Sequence, residues 1–114
     1  MPTLLPRDAD SNPIPAMRLR SGAAHTISAT GASARNSVAF NADTKVVSLF
    51  ATGAVYVRFG GSSVTAANTD HYFPQGLYYD FAISGGESGK GPQNTHIAVL
   101  AAGSNCTVYI SEKE

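Results

Sequence analysis

The sequence predicts an all-β chain folded as an antiparallel β-sandwich, and three observations carry that prediction. Apolar and polar residues alternate with a period of two through eight short stretches, β-branched and aromatic residues fill those stretches, and Gly, Asn, Asp and Ser break the chain between them. A chain of 114 residues is the size of one compact domain and can bury a core without metals or disulfides. No stretch has the periodicity of an amphipathic helix.

The chain opens on a segment unlike the rest. Residues 1–15 carry Pro2, Pro6, Pro13 and Pro15, interleaved with "RDADSN". Proline lacks an N–H and biases its predecessor to extended backbone, so neither a helix nor a central strand forms here. The expectation is an extended N-terminal arm over 1–15, either a disordered tail or an arm ordered against a neighbour, followed by a sandwich domain over 16–114. Leu4, Leu5, Ile14 and Met17 give the arm apolar anchors for a neighbouring molecule, since a purely solvated tail has little use for them.

Strands are then expected, in order, at Ala16–Arg20, Ala24–Thr30, Asn36–Phe40, Lys45–Thr52, Ala54–Gly60, Leu77–Ile83, Thr95–Ala102 and Cys106–Glu112. In "AVYVRFG" the residues Val55, Val57 and Phe59 share one face and Tyr56 and Arg58 the other, as in a half-buried strand. "CTVYISE" repeats the pattern, with Cys106, Val108 and Ile110 on one face and Thr107, Tyr109 and Ser111 opposite. In "ATGAVY", Gly53 separates two strong strands and predicts a tight hairpin between neighbours, with Gly at positive φ. "GSSVTAANTDHYFPQG" predicts a long loop crossing between sheets, with Gly76 left-handed after Pro74. Short strands at this spacing fit a sandwich of jelly-roll type.

Several chemistries fail on spacing. "SGGESGKGPQNT", Ser84 to Thr95, has the composition of a phosphate cradle, but Ser84 stands where the first Gly should be and Gly91 and Pro92 follow Lys90. The segment is a polar connection between strands. "DADSN" begins like a calcium loop, yet the sixth position is Pro13 and the twelfth Leu19. His25, His71 and His96 match no local metal motif. "GGSSV" lacks the nucleophile-elbow spacing, and "NCT" is a turn entering a strand. The lone Cys106 excludes an internal disulfide and suits a small buried hydrophobe. An enzyme would need convergence of His71, Asp70, Asp80 or His96, for which no spacing speaks. The sequence therefore predicts no enzyme, no cofactor and no metal.

Formal net charge is zero, so no overall field draws the chain to nucleic acid or an anionic membrane, and no run reaches the roughly twenty apolar residues of a membrane helix. Neutrality suits self-association. Tyr56, Tyr72, Tyr78 and Tyr79 are the candidate interface residues of the sandwich, tyrosine being favoured both at protein interfaces and as a stacking platform for sugars. Tyr78 and Tyr79 are adjacent and must face opposite sides of one strand, one toward the core and one outward.

The succession "RDADSNPIPAMRL", "GAAHTISATGASARNSVAFNADTKVVSLFATGAVYVRFG", "DHYFPQGLYYDFAI" and "HIAVLAAGSNCTVYISE" resembles a family of small structural proteins encoded among the head and tail genes of tailed bacteriophages and prophages. The likeness spans nearly the whole chain and is strongest at "VYVRFGGSSVTA", "FPQGLYYDF" and "TVYISE", none of them catalytic. Small β-rich proteins of this kind are similar to capsid decoration, or cement, proteins. The resemblance implies a trimer on the outside of an assembled virion shell, with the major capsid protein or another virion protein as partner, made in the bacterial cytoplasm. Related-looking sandwiches serve in necks, tails and fibres, and exposed tyrosines beside polar loops would also suit a carbohydrate- or receptor-binding module.

Overall fold

The structure, a computed structural model, describes residues 9–11, 18–83 and 92–114. Most of the expected arm, with Leu4, Leu5, Ile14 and Met17, and the greater part of the Ser84 to Asn94 connection, with Lys90, lie outside the described residues.

Eight strands form: β1 Leu19–Ala29, β2 Ala34–Arg35, β3 Val46–Ala51, β4 Val55–Gly60, β5 His71–Phe73, β6 Tyr78–Ala82, β7 His96–Ala101 and β8 Cys106–Lys113. They make two antiparallel four-stranded sheets in the orders β1-β8-β3-β6 and β2-β7-β4-β5. No helix is present among the described residues. Strands at mirrored positions in the chain pair, β1 with β8, β2 with β7, β3 with β6 and β4 with β5.

Period-two alternation places the core between the sheets. Ile27 and Ala29 of β1, Val47, Leu49 and Ala51 of β3, and Val108 and Ile110 of β8 face Val55 and Val57 of β4 and Ile97 and Val99 of β7, all buried in one cluster. Phe59, Phe73, Tyr79 and Phe81 close its flank. Ring centroids there lie 4.9 Å apart for Phe73 and Tyr79 and 5.2 Å for Phe73 and Phe81, both edge to face.

Five expectations need correction. Ala16–Arg20 and Ala24–Thr30 are not two strands: β1 runs through from Leu19, and its register with β8 shifts between Leu19 and Ala24. Gly22, at φ 73°, lies inside that shift, where an inserted residue needs left-handed backbone. Asn36–Phe40 is not a strand, because the buried Asn36 side chain satisfies the backbone in place of a ladder. Its Nδ2 donates to the Val38 carbonyl at 2.7 Å and its Oδ1 accepts from Ile97 N at 2.8 Å. β5, three residues long, sits inside the expected long loop and is too short to show periodicity. That loop does not cross between sheets at its start, since β4 and β5 are neighbours; the crossing comes at Pro74–Leu77, where Gly76 has φ 82°.

The fifth correction concerns Gly53. β3 and β4 lie in opposite sheets, so Thr52–Ala54 is a crossing and not a hairpin. Gly53 is needed for space and not for positive φ: an added Cβ would lie 2.8 Å from Cys106 Cβ. Gly53→Ala is therefore expected to cost about 1–3 kcal/mol through overpacking, read as a lower urea midpoint. Gly61, whose Cβ position meets nothing within 4 Å, is the control, and Gly61→Ala leaves the midpoint nearly unchanged.

Candidate interaction surface and buried polar latch

Alternation that buries one face of each sheet leaves the other for solvent, and both outer faces carry aromatic rows. On β1-β8-β3-β6, register places Tyr109, Phe50 and Tyr78 side by side across three strands. Tyr78 is 77% exposed, Tyr109 46%, and the Phe50 and Tyr78 centroids are 4.8 Å apart. On β2-β7-β4-β5, Tyr72, Tyr56 and Leu100 form the corresponding row. Tyr72 is 56% exposed, and its ring meets that of the half-buried Tyr56 edge to face at 5.6 Å. Exposed Leu77 stands in the crossing from β5 to β6, directly before Tyr78.

The four tyrosines singled out from sequence are thus separated. Tyr56 and Tyr72 pair on one outer face, Tyr78 lies on the other, and Tyr79 turns inward against the core. Tyr109, on the outward parity of "CTVYISE" but not among the four candidate tyrosines, completes the second row.

Near the start of β8, the segments Thr52–Ala54 and Gly103–Asn105 and the residue Gln75 border a cleft of about 300 Å³. Cys106, half-buried, is on its wall and packs against the core. The lining carries hydroxyl, amide and backbone groups and no charge.

At the opposite end a buried polar cluster forms around Glu112, which is 1% exposed and points between the sheets. Its Oε1 accepts from Thr44 Oγ1 at 2.6 Å, from Asn41 N at 2.9 Å and from Asn41 Nδ2 at 3.0 Å; its Oε2 accepts from His25 Nε2 at 2.7 Å. A carboxylate only accepts, so His25 Nε2 carries the proton in this contact. Burial alone would raise the Glu112 carboxyl, but the bonds from Thr44, His25 and Asn41 outweigh it and hold the group below its ordinary value. The cluster ties β8 to β1 and to the Asn36 to Lys45 connection, with the His25 ring edge-on to Phe40 at 5.1 Å. Beside it, the hydrogen bond from Arg20 to Asp43 at 2.7 Å lowers the Asp43 carboxyl.

The remaining candidates for chemistry stay apart. His25 lies in one sheet, His71 and His96 in the other; His71 is exposed, and buried His96 shares a hydrogen bond with Thr95 Oγ1 at 2.8 Å. Asp70 accepts from Ala67 N at 2.7 Å, and Asp80 pairs with Lys113 at 2.7 Å. Among the described residues no three His, Cys, Asp or Glu side chains gather as a metal site would require. No helix of the described residues is long and apolar enough to cross a membrane. A scan against protein-family models, a search of curated proteins and a search of solved structures each found no match for the chain.

Proposed function

We propose that this chain is a structural docking protein of a virus particle, a capsid decoration protein that stabilises an assembled shell. The observation that carries the reading is the pair of aromatic rows on the outer faces of both sheets, held on a rigid sandwich. Exposed aromatic patches on a folded domain mark surfaces that bind other macromolecules. The sequence resemblance to small phage structural proteins supplies the setting, the trimer and the major capsid protein as partner.

In this reading the sandwich is a jelly roll. The pairing of mirrored strands supports it, as a long hairpin rolled into two sheets gives the orders β1-β8-β3-β6 and β2-β7-β4-β5. The arm over 1–15 is the tether. At its root, Arg18 and Glu114 exchange two backbone hydrogen bonds of 3.0 and 2.8 Å, so force on the arm is delivered to the β1 and β8 pair. Proline restricts the free arm in advance, which lowers the entropy lost when it docks.

Neck, tail or fibre placement would use the same surfaces. A second reading, a carbohydrate- or receptor-binding module, is favoured by exposed Tyr78, three residues after Gln75 of the uncharged cleft that Gly53 and Ser104 also line.

The test is co-sedimentation of full-length protein and of residues 16–114 with shells of the same virus lacking this chain. Full-length protein is expected to sediment with the shells; the truncated form is expected to unfold at the same temperature and to dock at least about ten-fold more weakly. Absence of full-length protein from the pellet, with a monomer binding on a glycan array, would overturn decoration in favour of the carbohydrate reading.

A further inference from the structure

The outer face of β2-β7-β4-β5 differs from its counterpart in charge. The four strands of this sheet contain Arg35, Arg58, His71 and His96 and neither Asp nor Glu. Register sets Arg35 and Arg58 on one outward row, flanking Ala98 of β7, directly beside the row of Tyr72, Tyr56 and Leu100. Tyr56 and Arg58, two residues apart on β4, stand about 7 Å apart along the strand. On the opposite sheet the outward charges of Asp80 and Lys113 already neutralise each other.

The arginines stay uncompensated despite a connection folded back over part of this face. Val64 packs over Gly60, where an added Cβ would be 2.9 Å from its methyl, and Ala66 N donates to Ser33 Oγ at 2.8 Å. Among the described residues, Arg35 Nη1 reaches only the Val64 carbonyl, at 3.3 Å. The one carboxylate of the connection, Asp70, is held by Ala67 N, and among the described residues no ion pair reaches Arg35 or Arg58, both of which are exposed.

We infer that the exposed part of this face, with Arg58, Arg35, Tyr72 and Tyr56 at its centre, docks an acidic polypeptide surface on the partner. The inference rests on the docking reading above and names the partner's chemistry. Tyrosine and arginine with few Lys, Asp or Glu is the composition of an interface centre. A guanidinium with no internal carboxylate is free to take one from a partner in bidentate geometry, while the Tyr pair supplies apolar contact area at small entropic cost. A second copy meeting this face symmetrically would set arginine against arginine, so the face is not self-complementary. Single-stranded nucleic acid fits less well: the two rings meet edge to face and do not offer two parallel stacking platforms, and no lysine lies on these strands.

The experiment measures binding of the full chain at low salt to immobilised poly-L-glutamate and, in parallel, to oligo(dT). Wild-type protein is expected to bind poly-L-glutamate, with Arg58→Gln weakening binding about ten-fold and Tyr72→Ala at least about three-fold. Arg18→Gln, at an exposed arginine paired with Glu114, leaves it unchanged. Circular dichroism establishes that each variant is folded. No binding to poly-L-glutamate, no effect of Arg58→Gln, or tighter binding to oligo(dT) overturns the proposal. Shell co-sedimentation separates it from the reading beneath it. Loss of docking in Arg58→Gln supports both; equal docking of wild type and variant overturns this face and leaves decoration standing. Arg58-dependent binding to poly-L-glutamate by a chain that ignores shells supports the carboxylate chemistry and overturns decoration.

Discussion

Glu112→Ala destabilises the fold by about 3–5 kcal/mol, the range for removing one partner of a buried charged network. The loss is large because the donors stay behind. Thr44 Oγ1, both Asn41 nitrogens and His25 Nε2 would lose their acceptor at a site where Glu112 itself is almost fully enclosed. Glu112→Gln keeps the shape and one carbonyl acceptor, so it should cost less. Urea denaturation of both variants at neutral pH checks the order.

The same group sets a pH dependence. Its folded value lies below the ordinary value of 4.5, so the unfolded chain takes up its proton first as pH falls. The stability contributed by the ionised carboxylate is complete above the unfolded value and disappears as pH drops through the folded one. Glu112→Gln, having no proton to gain, should flatten the stability curve across that acid window. An equally steep curve in the variant would move the acid sensitivity elsewhere, with Asp43 and its Arg20 bond the next group to test.

Leu49→Ala is the second large effect, expected to cost about 2–5 kcal/mol through lost burial and the cavity left behind. Leu49 is 1% exposed, on the central strand β3, with Ile110 of β8 on one side and Tyr79 of β6 on the other. Neighbours on both strands are held by ladders and cannot collapse fully into the void. Tyr109→Ala, on the outer face of the same sheet, should stay within about half a kcal/mol. Urea midpoints at constant slope compare the two; similar losses would mean that the inner and outer faces had been assigned wrongly.

How much of this could be read from sequence follows from what a period of two can show. The inward residues of β4 and β8 were legible because long strands repeat the alternation, and the opposed orientations of Tyr78 and Tyr79 followed from adjacency alone. The Glu112 latch was partly legible. "CTVYISE" places Glu112 on the parity of Val108 and Ile110, and "AHTISA" places His25 on that of Ile27 and Ala29. A carboxylate and an imidazole on core faces point to a buried pair, yet Asn41 and Thr44 come from an irregular segment whose path no periodicity fixes. β2 and β5 were illegible for their brevity, and Asn36 erased an expected strand through a side-chain bond sixty-one residues away in sequence. Gly53 was read as a hairpin glycine because local sequence does not say which sheet receives the next strand; only the approach of Cys106 explains it. The arginine row likewise depends on register between β2, β7 and β4.

The central claim is that this sandwich works by docking, and hydroxyl-radical footprinting of the tyrosines, free and bound to shells, tests it most directly. The account predicts that Tyr72 reacts readily in the free protein and is protected on binding, with Tyr56 protected to a lesser degree. Tyr78 and Tyr109, on the opposite sheet, should keep their reactivity, and inward Tyr79 should react weakly in both states. Unchanged labelling of Tyr56, Tyr72, Tyr78 and Tyr109 on adding shells would contradict docking, whereas protection confined to Tyr78 and Tyr109 would contradict only the assignment of docking to the arginine-bearing face.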